Sequence, residues 1–144
     1  MSTTSYIEEL SKAEIEKLRD DDPEQYNRVQ HLQSNGFTFI TQVRFKGSEL
    51  STADSFHETF AERLQFPKFY GANMDAWIDV MDDVLRNELW PMAKYCVVGG
   101  RTLDIIVEES KRFQEGPVCR DLVECAKFIN EERVGYEYLR VVFE

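Results

Sequence analysis

Three stretches rich in aromatic and β-branched residues read as strands: FTFITQVRFKG at 37–47, KYCVVGG at 94–100 and YEYLRVVF at 136–143. Helix-patterned sequence separates them, and that separation leaves few folds open. Strands joined through a helix cannot close as a hairpin, and the crossover returns the second strand parallel to the first. From Ser51, the residues Ala53, Phe56, Phe60 and Leu64 recur at helical spacing, with Ser51, Thr52 or Asp54 available as the cap and Pro67 as the stop. A further helix is expected from about Asn73 to Leu85. TLDIIVEESKRF at 102–113 reads as a helix with some strand character, punctuated by Gly116 and Pro117. Val118, Leu122, Cys125, Ala126 and Ile129 then mark one side of a last helix. The expected architecture is α/β: a small three-stranded parallel sheet packed with helices. The closing strand shows little alternation, which predicts that both of its faces are covered.

The first 35 residues follow a different pattern and are expected to form an N-terminal helical extension to a domain of residues 36–144. Ser11 followed by Glu14 is a capping-box pattern ahead of Ile15 and Leu18, Pro23 suits the first position of a second helix, and Gly36 ends it. Apolar residues are sparse here, so the segment is expected to pack on the rest of the chain. The N-terminus lacks a basic start followed by an apolar run, and no stretch approaches the length of a membrane span. A cytoplasmic location is the expectation.

Charge narrows the partner classes. The chain carries 17 basic residues against 27 acidic ones, a net charge of -10, which argues against nucleic acid or an anionic membrane as ligand, since both need a basic footprint. Three cysteines, Cys96, Cys119 and Cys125, have no CxxC spacing, and their odd number disfavours a disulfide framework or a zinc site. No metal or cofactor is expected. His31 and His57 are far apart, without ligand spacing around them, and His57 is expected on the rim of its helix.

The segment FPKFYGANMDAWID, residues 66–79, raises the functional question. At 100° per residue from Asn73, Asp82 falls at about 180°, Asp75 at about 200°, Asp79 at about 240° and Asp83 at about 280°. Trp77, Val80, Met81 and Val84 cluster on the other side, where Trp77 reads as core packing. Met74 and Ile78 border the acids, so apolar surface adjoins the acidic stripe. A solvated helix face explains part of this pattern, including an i,i+4 pair from Asp82 to Arg86 and an acid in the first turn. Aspartate, however, is a poor helix former, and four of them suggest carboxylates aimed at a cation. On a convex helix such a pair suits binding better than acid-base catalysis, and no Ser-His-acid or Cys-His arrangement is evident, so the chain is not expected to be an enzyme.

FPKFYGANMDAWIDVMDD, residues 66–83, resembles the signature of the barstar family: an apolar residue, Pro, two aromatics around a YG turn, Asn, an apolar residue, Asp-Ala and a second Asp one turn on. Weaker similarity runs through FKGSELSTADSFHETFAERLQ, VEESKRFQEG and AKFINEE, so that the resemblance covers roughly residues 40 to 144. It implies a three-stranded parallel sheet with helices and tight inhibition of a secreted ribonuclease toxin whose basic active-site cleft is plugged by the acidic helix. Carried over residue by residue, Asp79 meets the phosphate-binding site and Asp75 makes an ion pair at its edge. Asn73 and Met74 pack beside them, and Phe69 lies against the active-site region. Tyr70, Ile78, Asp82 and Asp83 complete the implied partner-binding set. Phe69, Ile78, Asp83 and Val84 depart from the founding member's residues, which points to a different nuclease. A distal glutamate contact falls on Glu124, Glu131 or Glu132. The alternative expectation is a barstar-like interaction module for a basic partner that is not a toxin.

Overall fold

The computed structural model describes residues 6–87, 90–134 and 137–144. Its elements are β1 (Ile7–Glu9), α1 (Lys12–Asp21), α2 (Pro23–Ser34), β2 (Thr38–Lys46), α3 (Ala53–Arg63), α4 (Met74–Arg86), β3 (Tyr95–Cys96), β4 (Leu103–Glu108), α5 (Pro117–Phe128) and β5 (Leu139–Phe143). The α/β class is as expected, but the sheet has five strands in the order β1-β2-β4-β5, with β3 pairing to β2. β2, β4 and β5 run parallel, β3 is parallel to β2, and β1 is antiparallel to it.

Two expectations are corrected here. Residues 103–108, within the stretch read as a helix, form the central strand β4, with Ile105, Ile106 and Val107 all buried between β2 and β5. Three consecutive buried apolar residues suit a strand covered on two sides, whereas one turn of a surface helix would expose one of them. The expected helical extension also begins with a strand: Ile7 and Glu8 pair with Val43 and Gln42. Its helices start where expected. Ser11 Oγ accepts from the Glu14 amide, and Asp22 caps α2 with Pro23 in its first turn. Tyr136, the first residue of the expected closing strand, lies outside the described residues.

One face of the sheet carries the main core. Val43, Phe45, Ile105, Val107 and Leu139 pack against Phe56 and Phe60 of α3, Trp77 and Val84 of α4, and Leu122 of α5. The other face bears a charged lattice in which Arg44 meets Glu108 at 2.6 Å and Arg140 meets Asp104 at 2.8 Å. Val142 shares that charged face and is only half-buried, while Val141 and Phe143 pack half-buried against the main core, so β5 is not covered on both faces. Around Phe39 and Cys96 a second core gathers Leu10, Ile15, Leu18, Val29 and Leu32 from the N-terminal segment. The three cysteines are free, and burial pushes the Cys96 thiol up to about 12.

Two contacts fasten α2 to the rest. Gly99 donates its amide to Gln25 Oε1 at 3.1 Å, at a place where a Cβ would stand 2.8 Å from the Gln25 amide nitrogen. Arg28 Nε donates to Asn87 Oδ1 at 3.0 Å, and Asn87, buried with φ +35°, ends α4 while its Nδ2 donates to the carbonyls of Val84 and Val97.

Candidate partner-binding face

α4 begins where a local cap places it. Asn73 is extended, its Oδ1 accepts from the Ala76 amide at 2.8 Å, and the preceding Ala72 has a left-handed φ of +52°. Trp77 is fully buried against Phe56 and Phe60, which holds the opposite side of the helix toward solvent. The loop ahead of the cap is built on Tyr70. Its ring packs edge-on against Phe66, and its hydroxyl shares a hydrogen bond with His57 Nδ1. His57 is consequently buried, not on a rim as expected. Burial holds its pKa below the ordinary value against the pull of Asp54, and pushes the Tyr70 phenol up.

Anchored this way, Tyr70 leaves Phe69 next to it 77 % exposed. Asp75 and Asp79 are exposed on the first two turns of α4, with Met74 and Ile78 half-buried beside them. The structure thus leaves Phe69, Asn73, Asp75 and Asp79 exposed and brings Asp75, Ile78 and Asp79 together along one groove. It turns the other two aspartates inward. Asp82 has a side chain only 9 % exposed and accepts a bidentate pair from Arg86 (2.7 and 2.6 Å) and a third bond from Arg133 at 3.1 Å. Asp83 Oδ2 accepts from the Met92 amide at 2.8 Å, and burial, with help from Asp82, raises its pKa.

Arg133 joins the site without any signal in the neighbouring sequence. It lies in a π-helical turn, Ile129–Val134, that follows α5, and reaches both Asp82 and, at 3.3 Å, Asp79. Its guanidinium also stands 5.8 Å from the ring centroid of Phe128. Between α4 and α5 this leaves a surface groove of about 460 Å³ lined by Asp75, Ile78, Asp79, Glu124, Cys125, Phe128 and Arg133. Of the three glutamates considered for a distal contact, Glu124 is the one in this groove; Glu131 lines a different one. Phe128 could have been found as an aromatic standing off the apolar stripe of α5, whereas nothing local marks Arg133.

Among the described residues, no cluster of His, Cys, Asp and Glu could hold a metal, and no helix is long and apolar enough to cross a membrane. A mostly parallel sheet with helices on its core face, one of them carrying two exposed aspartates a turn apart, defines an α/β domain. The family model for Barstar (barnase inhibitor) matches residues 40–133, and the chain belongs to the barstar family. Members of that family are inhibitors rather than enzymes. No curated protein matches the chain.

Proposed function

We propose that this chain is an immunity protein that binds a ribonuclease toxin in the cytoplasm of the cell that makes it and blocks its active site with α4. The observation that carries this reading is the pair of exposed carboxylates, Asp75 and Asp79, held one turn apart on a capped helix with Ile78 beside them and Phe69 exposed on the loop ahead of the cap. A ribonuclease must gather arginine, lysine and histidine to bind phosphate. Two fixed carboxylates can fill such a site as an immobile phosphate substitute.

In this reading Asp79 meets the phosphate site, Asp75 pairs at its edge, Asn73 and Met74 pack alongside, and Phe69, steadied by Tyr70, covers apolar surface. Asp82 and Asp83 act from behind, one holding Arg86 and Arg133 and the other tying down the Met92 amide. Residues 1–35 count here as an N-terminal extension to the inhibitor domain of residues 36–144, and Arg28 within it supports the end of α4 through its bond to Asn87.

The test is co-expression of the toxin domain of the adjacent gene, where that gene encodes a nuclease, with and without the full chain, scoring survival and RNA integrity. Rescue by the wild type that is lost in Asp79→Ala supports the reading. Cell death with both, or equal rescue by Asp79→Ala, overturns it. A chain that instead purifies with a basic protein lacking nuclease activity identifies an interaction module and replaces this proposal.

A further inference from the structure

The two edges of the sheet are finished differently, and we propose that a second copy of this chain completes the open one by antiparallel pairing of β5 with β5. The β1 edge is three residues long, carries two glutamates and shifts register between Glu8 and Glu9, all of which blunt it against further pairing. β5 has none of these devices. Its sequence, LRVVF, holds one charge, and β4 is its neighbour on one side only.

The direction of its backbone groups follows from two hydrogen bonds. The Glu144 amide donates to the Val107 carbonyl at 2.8 Å, and the Tyr138 carbonyl accepts from the Leu103 amide at 2.7 Å. By strand alternation, Tyr138, Arg140, Val142 and Glu144 face β4, while Leu139, Val141 and Phe143 direct their N–H and C=O outward. Asn130 satisfies Leu139, its Oδ1 accepting from the amide at 3.0 Å and its Nδ2 donating to the carbonyl at 2.8 Å. Among the described residues, no protein group bonds the outward N–H and C=O of Val141 and Phe143.

One register satisfies those groups. A two-fold axis at Val142 sets Val141 opposite Phe143 of the second copy, and Phe143 opposite its Val141, so every open group on both strands pairs. An axis at Val141 would instead set Phe143 against Leu139, whose groups Asn130 already holds. The favoured register also puts Arg140 across from Glu144 of the second copy, an opposite-charge cross-strand pair. Alongside the edge runs a groove of about 490 Å³ lined in part by Val123, Ala126, Leu139, Val141 and Phe143, which supplies apolar surface to the same contact. Two copies of charge -10 repel, so the dimer strengthens as salt rises.

Sedimentation velocity on the full chain, from about 10 µM to about 1 mM at low and at about 0.5 M salt, tests the proposal. The wild type should pass from monomer to dimer with concentration, and further at high salt. Val141→Pro, which deletes an outward N–H at an edge that tolerates proline, should stay monomeric. Arg140→Glu sets like charges opposite each other and should weaken association about tenfold or more, and adding Glu144→Arg to it should restore association. If Val141→Pro fails to fold, the charge-swap pair decides alone. A wild type that remains monomeric throughout, a dimer indifferent to the variants, or a swap that does not restore it overturns the proposal.

Discussion

Asp79 and Asp82 lie one turn apart on the same helix, and replacing each by alanine should separate binding from stability. Asp82 is the buried partner of two guanidiniums, with three hydrogen bonds to Arg86 and Arg133. Removing one partner of a buried charge pair costs about 3–5 kcal/mol. Both arginines are 37 % exposed, so water recovers part of that loss, and alanine gains up to about 0.7 kcal/mol in helix propensity. Asp82→Ala should therefore destabilise by about 2 kcal/mol, a fall in Tm of about 4–8 °C for a chain of this size. Asp79 has one contact, at 3.3 Å, and a side chain 64 % exposed. Such a pair contributes about 0–1 kcal/mol, which the propensity gain offsets, so Asp79→Ala should unfold with the wild type. Its binding should fall by at least about 2 kcal/mol, or about thirtyfold in Kd, as for a central interface residue. Urea unfolding followed by circular dichroism measures the first quantity, and calorimetric titration against the nuclease that the chain neutralises in co-expression measures the second. An Asp79→Ala chain as unstable as Asp82→Ala would refute the assignment of an inward and an outward aspartate, and one that binds like the wild type would refute the plug.

Association with a basic nuclease should slow by at least tenfold between about 10 mM and about 150 mM salt in stopped-flow measurements, because the attraction is screened beyond the Debye length. His57 is held below its ordinary value of 6.5, first by burial, so the unfolded chain takes up a proton that the folded chain refuses. Thermal stability should accordingly fall as pH drops through and below 6.5, and His57→Gln should flatten that slope. Asp83 has the opposite sign: its raised pKa means that the unfolded chain ionises first, so its contribution to stability is lost as pH rises through the carboxylate range. Asp83→Asn, which keeps an acceptor for the Met92 amide, should raise Tm at neutral pH and bring no gain in acid, where the carboxyl is already protonated.

What could be read from the sequence was what neighbours in the chain decide. Ser11, Asp22, Thr52 and Asn73 start their helices through bonds to residues three positions on, and the boundaries of α4 followed from such a cap. β4 was misread because Asp104 and Glu108 stand four apart, like one polar side of a helix, while the burial of Ile106 between two strands is decided elsewhere in the chain. β1 has no local signature, and only its pairing with β2 makes it a strand. At the site, helical projection set Asp82 opposite the core, and by the geometry of a lone helix that is correct. A second layer, the turn carrying Arg133, covers it, and 51 residues separate the two. His57 was misplaced for the same reason, because Tyr70 closes over it from a loop 13 residues later.

The Arg28 to Asn87 and Gln25 to Gly99 contacts limit how the N-terminal helices can be transplanted. A graft that moved them onto another domain would need two partner positions prepared in advance: an asparagine whose backbone turns left-handed at the end of α4, and a free backbone amide after β3 with room beside it for the Gln25 side chain. Neither lies within the transferred segment. Moving the N-terminal helices alone would therefore strand Arg28 and Gln25 without these partners, and a working graft would have to carry positions 87 and 99 with it.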